Sequence, residues 1–115
     1  MASGLSTPPP PPTIHEASLA SGASGVVVRG IEIDFNAATA LRRAGKNVVI
    51  CGDDLGANRG LARKIEAAVG PAIRGAPHRR SAGPRALPHF QQHDRAHEGH
   101  TFYETPNRKA ARRKP

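Results

Sequence analysis

The chain has 115 residues, a net charge of +8, one cysteine, no tryptophan and an aromatic content of 3%. A chain this short holds one domain at most, and a single cysteine excludes an intrachain disulfide. No run approaches the ~20 apolar residues of a membrane-spanning helix. The charge is uneven: residues 1–70 carry seven Lys/Arg against six Asp/Glu, and residues 71–115 carry ten against three. Basic surface of that density attracts polyanions, nucleic acid foremost, although the plainer reading is charge kept for solubility. The first residues show neither a basic nor an apolar leader segment, so the free chain is expected in the cytoplasm unless a larger protein exports it.

Residues 1–24 are poor in bulky apolar side chains and contain the run Pro8–Pro12, which favours an extended spacer. Val26–Phe35 is rich in β-branched residues, with Ile31, Ile33 and Phe35 alternating against Glu32 and Asp34, and reads as a strand interrupted at Gly30. Asp34 or Asn36 can cap a helix over Ala37–Arg43, with Gly45 just past its end. Asn47–Cys51 is a short continuous apolar run, as in a strand buried on both faces, with Cys51 acting as a small hydrophobe.

Gly52-Asp53-Asp54 forms a turn and cap. Leu61, Ile65 and Ala68/Val69 recur at helical spacing from Leu55 to Val69, and Gly70-Pro71 stops that helix. Beyond Pro71 only Ala86–Phe90 and His100–Tyr103 are apolar. They are expected to form two short strands joined by Gln91–Gly99 and added to one sheet edge. Asn107–Pro115 carries five positive charges and reads as a solvated tail. The expected fold class is therefore α+β: a β-α-β-α start followed by a short antiparallel β-hairpin, flanked by disordered termini. In residue terms, 1–24 is a disordered Pro-rich linker, 25–106 the domain and 107–115 a basic disordered tail.

Five of the six histidines (His78, His89, His93, His97 and His100) lie within one stretch that also holds four arginines. Histidine transfers protons near neutral pH and ligates metals, and arginine offers a permanent planar fork for phosphate. Three chemistries compete for this content. A nucleotide site at the Gly52-Asp53-Asp54 turn lacks the glycine fingerprint and has two acidic residues where phosphate would sit, so a helix cap explains it. A zinc stripe through His89, His93, His97 and His100 is interrupted by Pro88 and Gly99, and the one cysteine lies far upstream.

Metal-free RNA cleavage needs a base for the ribose 2′-hydroxyl, an acid for the leaving 5′-oxygen, and cations on the phosphate. His89 and His100 on the two short strands supply the imidazoles, supported by His78. Arg79, Arg80 and Arg85, with Thr101 and Tyr103 as hydrogen-bond donors, supply the phosphate contacts. His93 and His97 fall in the connector, where solvated loop histidines are the simpler assignment. This chemistry requires no cofactor and no metal.

The stretch EIDFNAATALRRAGKNVVICGDDLGANRGLARKIEAAVGP, followed by GPRALPHFQ and GHTFYE, resembles the C-terminal effector domains of bacterial polymorphic toxins of the RHS-repeat or filamentous type. The likeness covers about residues 30–109, and its two later pieces are the more specific. It implies a secreted nuclease toxin, most often an RNase, delivered to the target-cell cytoplasm and paired with a dedicated immunity protein. His89 and His100, then His78, would be its functional histidines. No repeat region or cleavage motif accompanies these pieces. Two function classes thus stand: an endoribonuclease toxin domain acting on RNA, and a non-enzymatic basic module binding nucleic acid through Arg85 and Arg108–Lys114. A His-rich zinc domain ranks third, and membrane binding is not expected.

Overall fold

The structure is a computed structural model that describes residues 10–19, 26–75, 87–92 and 99–112. Its elements run β1 (Thr13–Leu19), β2 (Val27–Ile33), α1 (Phe35–Arg43), β3 (Asn47–Cys51), α2 (Leu55–Val69), β4 (Ala72–Gly75), β5 (His89–Gln92), β6 (Thr101–Tyr103) and β7 (Ala111–Arg112). The described strands form one seven-stranded mixed sheet in the order β4-β5-β6-β3-β1-β2-β7. The fold is α+β, as the alternation of strand and helix patterns predicts. The late hairpin is present too: β5 and β6 pair antiparallel, His89 against Phe102 and Phe90 against Thr101.

The termini depart from expectation. Residues 13–19, read as part of a linker, form β1, which sits between β3 and β2 and pairs antiparallel with both. The pattern Thr13-Ile14-His15-Glu16-Ala17 does alternate, but with one bulky apolar residue, Ile14, buried on the helix side. The proline run before it masked that weak signal. Part of the basic tail is also sheet, since Ala111 and Arg112 pair parallel with Val28 and Arg29. β4, for which the sequence offered no signal, pairs antiparallel with β5.

Asp34 caps α1, its carboxylate accepting from Ala37 N at 2.8 Å, and Asp54 caps α2 in the same way through Ala57 N at 3.1 Å. Gly45 follows α1 with φ of 79°, the left-handed conformation in which glycine ends helices cheaply. Both helices lie on one face of the sheet, where Ala38, Ala62 and Ile65 pack on Ile14, Val48, Ile50, Phe90 and Tyr103. On the other face Val27, Val49, Cys51, Leu87 and Phe102 form a second cluster to which neither helix contributes.

Between helices and sheet lies a buried polar network. Arg42 and Glu66, both fully buried, pair through Nε–Oε2 at 2.6 Å and Nη2–Oε1 at 3.1 Å. Glu66 also accepts from Thr101 Oγ1 at 2.6 Å and Gln92 Nε2 at 3.0 Å. Arg42 donates further to the carbonyls of Lys46 and Gly99, at 2.9 and 3.2 Å. A charge removed from water is tolerated when its partners are this complete. The network ties α1 and α2 to the strand ends that carry the late histidines.

Candidate functional site

The two-residue period of the strands sorts side chains onto the two faces. On the face without helices, Val49 of β3 pairs with His15 of β1 on one side and Phe102 of β6 on the other, and Phe102 pairs with His89 of β5. This row crosses four strands with an imidazole at each end. His100 precedes Phe102 by two residues, and its backbone N–H donates to Asn47 Oδ1 at 2.8 Å. The turn into it depends on Gly99, whose φ is 88° and whose missing Cβ would meet Arg42 Nη1 at 2.7 Å. Arg42 therefore sets the backbone on which His100 stands.

His89 and His100 come together as the sequence reading expects. Their ring centroids are 4.4 Å apart at an interplanar angle of 72°, and Phe102 lies 5.8 Å from His89 and 5.3 Å from His100. His89 is buried at 1% exposure, whereas His100 is half-buried. The rings touch edge to face, so a phosphate cannot enter between them.

Two expected phosphate donors are on the wrong side of the sheet. Thr101 is fully buried and spends its hydroxyl on Glu66. Tyr103 is 2% exposed, packs 5.7 Å from Phe90 and belongs to the helix-side core. Strand alternation places both opposite Phe102, and neither reaches the histidine pair. His78, Arg79, Arg80, Arg85, His93 and His97 lie outside the described residues. No three His, Cys, Asp or Glu side chains among the described residues are grouped to hold a metal ion. Of the tail cations, Lys109 is engaged with Asp53 at 3.1 Å.

His15 was missed because it falls in the segment read as linker. Its Nδ1 lies 3.0 Å from the carbonyl of Gly30 and its Nε2 2.8 Å from the Thr13 hydroxyl. A carbonyl can only accept, so Nδ1 carries a proton. The contact uses the register shift between β1 and β2, where Gly30 and Ile31 face the single residue Glu16.

The same face opens at the ends of β3 and β6 into a cleft of about 500 Å³. Cys51, Glu104, Arg29, Lys109 and Asp53 are among the residues that line it. Glu104, 5% exposed, accepts from Gly52 N at 3.1 Å and Ala110 N at 2.8 Å, which fixes the loops on either side. Burial pushes the Cys51 thiol up to about 11, the Glu104 carboxylate adds to the rise, and Arg29 opposes it. Cys51 is thus a neutral thiol at physiological pH, in keeping with its reading as a small hydrophobe.

No family model matches the chain, and neither a curated protein nor a solved structure matches it. No helix among the described residues is long and apolar enough to cross a membrane.

Proposed function

We propose that the chain is a toxin-type, metal-independent ribonuclease domain in which His100 meets the substrate and His89 supports it. The observation carrying this reading is the contact between two imidazoles at 4.4 Å on the face to which, among the described residues, neither helix contributes. A half-buried His100 can take the proton of a ribose 2′-hydroxyl, and the same ring in its protonated form can return one to the leaving oxygen. His89, buried at 1% exposure and in ring contact with both His100 and Phe102, holds the orientation of His100. The excess of seven positive charges over residues 71–115 supplies attraction for the RNA backbone. The resemblance adds the setting: a module of a secreted bacterial toxin, RNA as target, and an immunity protein as partner.

The test is incubation of the chain with RNA in excess chelator. The wild type should cleave, and His100→Ala should lose cleavage while keeping RNA affinity within about twofold. Expression in a bacterium beside the His89→Ala/His100→Ala variant extends the test to total RNA. Intact RNA and normal growth with soluble wild-type protein would refute the proposal. That outcome, joined to affinity that drops when Arg108–Lys114 charges are removed, would favour the non-enzymatic nucleic-acid-binding module instead.

A further inference from the structure

The cleft at the ends of β3 and β6 lies on the same sheet face as the histidine pair, and that pair does not use it. Its walls are of two kinds. Pro10, Pro11 and Ala110 give apolar surface, and Asp53, Glu104 and Lys109 form a polar cluster that adjoins Ala110, whose N–H donates to Glu104 Oε2 at 2.8 Å. Within the cluster Lys109 Nζ is 3.1 Å from Asp53 Oδ1 and 3.9 Å from Glu104 Oε1, and it donates to Gly52 O at 3.0 Å. Two carboxylates and one ammonium leave one net negative charge there, which the Arg29 guanidinium on the same cleft offsets, and the cluster offers both donor and acceptor atoms.

Arg29 is different. It enters the cleft from β2, and among the described residues no carboxylate pairs with it. A guanidinium at a cleft wall is a ready partner for a phosphate, which it can meet with two parallel N–H bonds. One anion site, one apolar slot and one edge bearing both donors and acceptors match the parts of a nucleotide: phosphate, base face and base edge. The volume of about 500 Å³ accommodates a single such unit. From β6 to β2 is three strand spacings, about 14 Å, and from His100, just before β6, to Glu104, just past it, is about 13 Å along the strand, so an RNA strand crossing this face obliquely reaches both His100 and the cleft within several nucleotides.

We propose that this cleft is a ribonucleotide subsite. Arg29 binds a phosphate, the proline and alanine surfaces hold a base, and the Asp53–Lys109–Glu104 cluster meets the base's polar edge. The choice of a ribonucleotide rests on the reading of the chain as an RNA-acting domain, whereas the site itself rests on the geometry.

The test uses isotope-labelled full chain carrying His100→Ala, titrated with ribonucleoside monophosphates and, separately, with inorganic phosphate. Nucleotides should shift the amides of Gly52, Asp53 and Ala110. Arg29→Ala should weaken binding at least tenfold, and Arg29→Lys, which keeps the charge and the fold but not the fork, should weaken it less. Inorganic phosphate should bind at least tenfold more weakly than the nucleotides. Silence of those amides overturns the proposal, as does unchanged affinity in either folded Arg29 variant. Equal affinity for phosphate and nucleotide overturns the base-binding part. A wild-type chain that binds nucleotide here but leaves RNA intact refutes the ribonuclease reading and not this one; cleavage with a silent cleft does the reverse.

Discussion

Replacing Glu66 with alanine tests the logic of the buried network. Glu66 accepts four hydrogen bonds, two from Arg42 and one each from Gln92 and Thr101, at distances of 2.6–3.1 Å. The substitution strands a guanidinium whose side chain is 0% exposed, and breaking a buried pair from one side costs roughly 3–5 kcal/mol. A domain of this kind has about 5–15 kcal/mol in all, so Glu66→Ala should be close to unfolding at 37 °C. Arg42→Ala should cost a similar amount. The double variant, with no orphaned charge, should cost clearly less than the sum. It should still fall below wild type by about 1–3 kcal/mol for Thr101, whose hydroxyl loses its acceptor, and by less for Gln92, whose Nε2 keeps the backbone carbonyl of residue 66 at 3.0 Å. Urea unfolding followed by far-UV circular dichroism suits a chain without tryptophan. A Glu66→Ala variant within about 1 kcal/mol of wild type, or strict additivity in the double-mutant cycle, would refute the argument.

Other outcomes follow from single contacts. Gly99→Ala must place a side chain at φ of 88° and against Arg42, and should destabilise by about 1–3 kcal/mol, read as a lower urea midpoint. If the chain cleaves RNA as proposed, the effect of Gly99→Ala on that cleavage should exceed that of Asp54→Ala, a cap loss of about 1 kcal/mol at the start of α2. Native Cys51 should react with iodoacetamide at pH 8 about a hundredfold more slowly than in urea, because its thiol titrates near 11 rather than 9.0. The sign for stability is fixed by the same shift: the neutral thiol's contribution is complete below pH 9 and fades as pH rises toward 11. Cys51→Ala should flatten the stability profile over that interval.

The elements legible in the sequence were those whose pattern repeats. β2, β3, α1 and α2 each carry several residues at strand or helix spacing, the two helices add a capping aspartate, and all four appear within a residue or two of their expected bounds. β1 was obscured because its place is decided by neighbours far along the chain: Ile14 gains its burial from Ile50 and α1, which local composition does not reveal. β4 and β7 are likewise made by partner strands rather than by their own four and two residues. At the site, the joining of His89 and His100 was foreseeable from two short apolar pieces able to form a hairpin. The loss of Thr101 and Tyr103 to the other face was foreseeable as well, since residues on either side of Phe102 must point away from it. Arg29 and Glu104 carried no local signal, because the cleft exists only where β2, β3 and the segment after β6 converge.

The position of β1 also gives the molecule a mechanical direction. Traction applied at residue 10 must draw a seven-residue strand away from neighbours on both sides at once, through ladders that run nearly its whole length. Traction applied at residue 112 meets first a strand of two residues held by one neighbour, and can peel it before the interior is disturbed. The described sheet is therefore stiff when drawn from residue 10 and compliant when drawn from residue 112, so any machine that must thread this chain through a narrow passage meets a different resistance according to the direction of pull.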